Sequence, residues 1–272
     1  MTEPVLEAEG LRKSFGGQVA VDDVSFTLRA GGSLALVGES GSGKTTTARL
    51  LVGLERADGG RISACGSDRT GPARGRGARL ERARQIQMVF QDPYLSLDPR
   101  ITVGDCVEEP LRLHFDLSRA QRLARRDELL DRVGLGVREA GALPKRLSGG
   151  QRQRAALARA LATEPKVLIL DEATAALDVS IQAQIVELLR ELRETLGIAY
   201  LFVSHDLALV RHVADDVLVL HRGRVVESGP TARVLAGAEH PYTRLLLDSI
   251  PRRGWDPARI AADRRALAEE SP

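Results

Sequence analysis

Residues 38–46 read Gly38-Glu39-Ser40-Gly41-Ser42-Gly43-Lys44-Thr45-Thr46, the G-x-x-x-x-G-K-[ST] pattern of a phosphate-binding loop. This stretch constrains the fold because it needs a buried strand before it and a helix after it. The flanks comply: Ser33-Leu34-Ala35-Leu36-Val37 is a short apolar run suited to a buried strand, and Thr46 to Leu54 reads as a helix. Glycines let backbone N–H groups converge on an anion. A helix starting near Lys44 aims the positive end of its dipole at the same point. Lys44 supplies a point charge, and the Thr45 hydroxyl suits Mg²⁺. Only four of the 39 basic residues are lysine (Lys13, Lys44, Lys145 and Lys166), yet lysine stands at the loop. A compact ammonium fits between phosphate oxygens where a guanidinium fork does not.

At 272 residues the chain is long enough for one large domain, or a core with a subdomain. A net charge of +2 implies no general attraction to nucleic acid. Cys65 and Cys106 lie far apart without metal-type spacing and fit a reducing compartment. No apolar run approaches the ~18 residues of a membrane span, and the acidic Met1-Thr2-Glu3-Pro4 lacks an apolar signal segment. The expectation is a soluble intracellular protein whose membrane role, if it has one, comes through a partner.

Along the chain, residues 5–37 look β-rich. Val24, Phe26 and Leu28 alternate with Ser25 and Thr27, the period of a half-buried strand. Residues 66–85, rich in Gly and Arg, read as a solvated loop running into a helix. A nucleic-acid arm is the sharper reading there, disfavoured because the segment has no aromatic residue. Ile86–Phe90 is a strand candidate ending at Gln91. Val103 to about Leu161 turns helical, with Ser118-Arg119-Ala120-Gln121 resembling a capping box. Val167–Leu170, Ala199–Val203 and Val217–Leu220 are further strand candidates, with a helix from about Ser180 to Leu196. Strands separated by helices predict a parallel, covered sheet. The fold class is therefore α/β: a P-loop NTPase core with a mostly parallel sheet, an N-terminal antiparallel β region and an inserted α-helical subdomain at about 92–160. The domain expectation is 1–237 for the ATPase unit and 238–272 for a polar, partly helical C-terminal extension.

A phosphate loop needs an acidic partner for its metal. Asp171 ends the run Leu168-Ile169-Leu170 and can hold Mg²⁺ directly or through water. Glu172 follows and can polarise an attacking water as a general base. Between these motifs lies Leu147-Ser148-Gly149-Gly150-Gln151, a second glycine turn opening a helix and so a second anion site. One nucleotide does not need two such sites on one chain. A dimer that sandwiches each nucleotide between one chain's loop and the other's Ser148–Gln151 turn uses both.

With these motifs in place, residues 5–250 resemble the ATP-binding cassette subunit of an ABC transporter. The resemblance implies ATP and Mg²⁺ as cofactors. It implies nucleotide contacts from Phe15 (stacked on adenine), the loop Gly38, Glu39, Ser40, Gly41, Ser42, Gly43, Lys44, Thr45 and Thr46, and from Gln91, Ser148, Gly149, Gly150, Gln151, Asp178 and His205. Metal contacts fall to Thr45, Gln91 and Asp171, and catalytic roles to Glu172, His205 and Gln91. Ala175-Ala176-Leu177-Asp178 matches the loop that crosses the dimer interface, with Ala175 where many members have serine. Phe15 replaces the commoner tyrosine and keeps the stacking face. Burial in the core is the plain alternative for Phe15, and a hydrogen-bonded strand-end residue the plain alternative for His205.

Two stretches narrow the resemblance to dipeptide and oligopeptide importer ATPases: Phe90 to Arg100, around the hinge glutamine, and His240 to Pro251. Some relatives hold an iron–sulfur cluster through C-terminal cysteines; this tail has none, so no cluster is expected. The implied partners are a second cassette (a copy or a sister chain), two membrane permease subunits and, indirectly, an extracytoplasmic substrate-binding protein, without nucleic acid. The implied location is the cytoplasmic face of the membrane. Tyr94, Leu95 and Leu97 beside Ser96 and Asp98 are expected to form an outward apolar patch for a permease. Other cargoes such as nickel or glutathione, and an accessory cassette of carbon–phosphorus lyase, stay open.

Overall fold

The computed structural model describes residues 3–92, 94, 96–173 and 178–250. Its centre is a six-stranded sheet in the order β10-β9-β3-β8-β7-β6, formed by β3 (Ser33–Val37), β6 (Ile86–Val89), β7 (Val167–Asp171), β8 (Ala199–Ser204), β9 (Asp216–His221) and β10 (Arg224–Pro230). All neighbours pair in parallel except β10, which runs antiparallel to β9 at one edge. Strand side chains alternate between faces, and here they sort into two cores. Leu34, Leu36, Ile169, Leu201 and Leu218 join one apolar cluster, while Ala35, Val37, Leu168, Phe202 and Val217 join the other. A sheet covered on both faces reads as continuous apolar runs, which is why β3, β7 and β8 are uniformly buried.

The cluster on one face is shared with a four-stranded antiparallel sheet, order β2-β1-β4-β5: β1 (Pro4–Phe15), β2 (Gln18–Arg29), β4 (Gly59–Ala64) and β5 (Ser67–Asp68). β2 shows the expected alternation, Val24, Phe26 and Leu28 in, Ser25 and Thr27 out. Helix α1 (Lys44–Val52) follows β3, and its last turn closes on Gly53, in the left-handed region. After α2 (Gly75–Gln85) and β6, the described chain up to β7 is helical: α3 (Val103–His114), α4 (Arg119–Arg132), the short α5 (Val137–Ala140), a 3₁₀ turn (Pro144–Arg146) and α6 (Gly149–Leu161). Its apolar side merges with the other core through Leu97, Val107, Leu130 and Leu157. Ser118 and Ser148 each open a helix with a full capping box. Then come α7 (Val179–Leu196), α8 (Leu207–Val213), α9 (Thr231–Ala236) and α10 (Pro241–Asp248).

Three local readings change. The β6 strand stops at Val89, one residue short. β4 and β10 were not foreseen. Arg69 is buried rather than solvated, its guanidinium donating to the carbonyl of Arg82 on α2.

Candidate nucleotide site

Part of the expected site collects at the carboxyl ends of consecutive parallel strands, where open α/β sheets hold their ligands. Residues 38–43 leave β3, Asp171 ends β7, His205 follows β8, and Gln91, exposed, lies two residues past β6.

The loop is shaped by its glycines. Gly38 adopts φ 152°, and a Cβ there would stand 2.2 Å from the Leu220 carbonyl oxygen. Gly43 adopts φ 103°, and a Cβ there would stand 2.4 Å from the Ala20 carbonyl oxygen. Only glycine meets both demands. The second contact ties the loop to β2, whose hairpin with β1 carries Phe15 at its tip. Phe15 is 46% exposed, with the Lys13 ammonium 5.0 Å from its ring centre, so it is not core. Ser40 and Gly41 are exposed, Glu39, Thr45 and Thr46 half-buried, and Ser42 and Gly43 buried. Lys44 is buried, and its ammonium donates to the Gly38 and Glu39 carbonyls at 2.8 Å each and to Ser42 Oγ at 3.5 Å. Burial pushes its pKa down, while Glu172, Asp171 and Glu39 hold it up.

The Thr45 hydroxyl donates to Asp171 Oδ1 at 3.1 Å across 126 residues of chain. Burial pushes the Asp171 carboxyl above its ordinary range; Thr45 opposes this, Glu172 adds to it, and Arg49 and Lys44 oppose it. Glu172 sits at φ 48°, the left-handed region, its amide donating to the Val203 carbonyl at 2.9 Å. That conformation costs a non-glycine residue about 1–2 kcal/mol. Its Oε1 lies 3.2 Å from Nδ1 of His205. The structure thus brings together Lys44, Thr45, Asp171, Glu172 and His205.

Ser148–Gln151 stand apart on α6. Ser148 Oγ accepts from the Gln151 amide at 3.2 Å, and Gln151 Oε1 accepts from the Ser148 amide at 3.0 Å. A Cβ on Gly150 would meet Cγ2 of Ile181 at 2.6 Å, so α6 and α7 touch at their first turns. Asp178 caps α7 and is exposed; the Ile181 amide, then the Ser180 hydroxyl, hold its pKa below the ordinary carboxylate range. Ala175, Ala176 and Leu177 lie outside the described residues, as do Pro93 and Leu95. In the 90–100 segment Tyr94 is exposed as expected, with the Arg152 guanidinium 4.8 Å above its ring. Leu97 is a correction: it is 2% exposed and belongs to the helical core, not to a surface patch.

Sequence reasoning missed three neighbours of the loop: the Ala20 carbonyl, Gly223, whose amide donates to the Ser42 carbonyl at 3.0 Å, and Tyr242, whose hydroxyl accepts from the Glu39 amide at 2.8 Å.

A family model described as "ABC transporter" matches residues 21–175. The chain belongs to the ABC transporter family. A second model, described as "Oligopeptide/dipeptide transporter, C-terminal region", matches residues 226–271. A Brucella abortus protein named as a peptide import ATP-binding protein is 49% identical over 253 residues, covering 93% of this chain and 74% of that one. The glutathione import ATP-binding protein GsiA of Escherichia coli K12 is 48% identical over 255 residues, of which this chain spans only 40% of the relative's length. Among solved structures, the ATP-binding cassette MJ0796, a dimer bound to ADP and phosphate, aligns with a TM-score of 0.75 at 29% identity over 83% of this chain and 98% of that one. Clostridium perfringens cbiO1, part of the ABC transporter complex cbiONQ, aligns at 0.77 and 31% identity over 93% and 98%. As an ABC cassette the chain is an ATPase subunit of the α/β P-loop class. Among the described residues no helix is long and apolar enough to cross a membrane.

Proposed function

We propose that this chain is the ATP-hydrolysing cassette of a di- or oligopeptide importer. It would act at the cytoplasmic face of the membrane, with residues 1–237 as cassette, about 92–160 as its helical subdomain and 238–272 as a C-terminal extension. The observation that carries the chemistry is the Thr45–Asp171 hydrogen bond, which joins the phosphate loop to the strand end bearing Glu172. A hydroxyl and a buried carboxylate at 3.1 Å form a hard oxygen pair, and Mg²⁺ prefers one or two such protein ligands, with phosphates and water completing its shell. Thr45 and Asp171 would hold it, with Gln91 from just past the neighbouring strand β6. When bound, the ion would neutralise charge on the phosphates.

The chain's own groups do the rest. Phe15 offers an exposed face to adenine. Loop amides and Lys44 position the phosphates. Glu172 takes the proton of a water attacking the γ-phosphorus in line; a new P–O bond forms, the bond to the β-phosphate oxygen breaks, and ADP and phosphate leave. His205 Nδ1 orients the Glu172 carboxylate, leaving Nε2 for the γ-phosphate. Ser148, Gly149, Gly150, Gln151 and Asp178 face the nucleotide of a second cassette, a copy or a sister chain, and closure of the pair drives two permease subunits fed by an extracytoplasmic binding protein. The C-terminal family match and the relative named for peptide import support this cargo. Glutathione is the second reading, favoured by the likeness to GsiA.

The test is Glu172→Gln. ATP binding is retained and turnover falls by about 10²–10⁴-fold, with the dimer held closed on ATP. Normal hydrolysis in that variant refutes the role of Glu172. Uptake of labelled dipeptide against glutathione, in vesicles carrying the full transporter, decides the cargo.

A further inference from the structure

A hydroxyl on α10, the last helix among the described residues, reaches the phosphate loop. Tyr242 is 2% exposed, and its ring stacks on His221 with centroids 4.0 Å apart and planes at 23°. Its hydroxyl accepts from the Glu39 amide at 2.8 Å. That N–H shares one rigid peptide plane with the Gly38 carbonyl, and the Gly38 carbonyl accepts from the Lys44 ammonium at 2.8 Å. A single peptide unit therefore has its donor on α10 and its acceptor on the lysine. Rotating that plane breaks both bonds.

Tyr242 is itself held. Its amide donates to Nδ1 of His240 at 3.1 Å. Glu227 on β10 accepts the amides of Glu239 at 2.9 Å and His240 at 3.1 Å, clamping the start of α10. His221, under the ring, ends β9 two residues before Gly223, whose amide holds Ser42. The tyrosine, the loop and the β9–β10 turn form one braced unit.

We propose that Tyr242 is a positioning residue of the nucleotide site: its hydroxyl fixes the Gly38–Glu39 peptide and so sets where the Lys44 ammonium stands, making ATP affinity depend on α10. The inference rests on reading residues 38–46 as the ATP-binding loop. The test compares Tyr242→Phe, which keeps the stacked ring and removes the hydroxyl, with Tyr242→Leu, which removes both, in the full chain. With Phe, KM for ATP rises about two- to tenfold while kcat stays close to the parent, and the melting temperature falls by only the few degrees that one buried hydrogen bond is worth. The Glu39 amide exchanges with deuterium faster in the nucleotide-free variant. With Leu, affinity and stability fall together. A purely packing role predicts the opposite for Phe: unchanged KM and unchanged exchange at Glu39. That result overturns the inference and leaves the loop assignment standing, provided Lys44→Ala still loses ATP. A parent protein that binds no ATP overturns both.

Discussion

Gly150 offers a perturbation whose two effects oppose each other and can be separated. It is the second residue of α6, and a Cβ there would lie 2.6 Å from Ile181 Cγ2 in the first turn of α7. Alanine favours a helix over glycine by about 0.8–1.0 kcal/mol, less in a first turn. Forcing a methyl into a filled contact costs about 1–3 kcal/mol. Gly150→Ala should therefore destabilise the chain by up to about 2 kcal/mol, with Tm falling about 2–4 °C for each. Ile181 is β-branched, its rotamer restricted by the helix, so the helices themselves must part. That displaces Ser148 and Gly149 relative to Asp178, and ATPase activity should fall several-fold. Ile181→Ala opens the space. In that background Gly150→Ala should become neutral or stabilising and recover most of the lost activity. Thermal melts and steady-state ATPase on the four proteins of this cycle measure the coupling, expected at about 0.5–3 kcal/mol. Equal losses from Gly150→Ala in both backgrounds would refute the contact as the cause.

Asp171 gives a pH signature. Its folded pKa is raised, chiefly by burial, so its contribution to stability is full below the unfolded value and fades as pH rises through the folded value. Asp171→Asn should consequently raise the nucleotide-free Tm above the parent's by a margin that grows from pH 4 to pH 7, while abolishing hydrolysis; a margin that shrinks over that range counts against a buried, ionisable Asp171. At the surface, Tyr94→Asp should leave the ATPase rate of the isolated subunit within about twofold, since exposed positions tolerate substitution, yet block uptake and co-purification with the permeases. Normal uptake in that variant removes Tyr94 from the docking surface.

The phosphate loop, Asp171 and Glu172 were legible because each sits where a uniformly apolar strand stops, and such runs stand out in any window. The capping box at Ser118 was equally local, whereas the one at Ser148 was read only as a glycine turn. What escaped was non-local or masked by composition. β4 opens on two glycines, and β10, Arg224-Val225-Val226-Glu227-Ser228-Gly229-Pro230, is a half-exposed edge strand without clean alternation. Leu97 sits among loop-type residues, so only its place in the buried cluster reveals it as core. Arg69 lies in a run that looks solvated, and its burial follows from a carbonyl on the next helix. The Tyr242–Glu39 bond joins residues 203 apart, beyond the reach of any periodicity.

The bonds around Lys44 also bear on what the loop ignores. An ammonium has three donors, and here they face two carbonyls and a hydroxyl of the loop itself. An arriving anion must take over bonds already made instead of filling an idle charge. A chloride or a lone phosphate ion offers little in exchange for that rearrangement. A polyphosphate engages several loop amides at once and can recoup it. If residues 38–46 hold nucleotide as proposed, the resting loop would favour a polyphosphate chain over a small single anion.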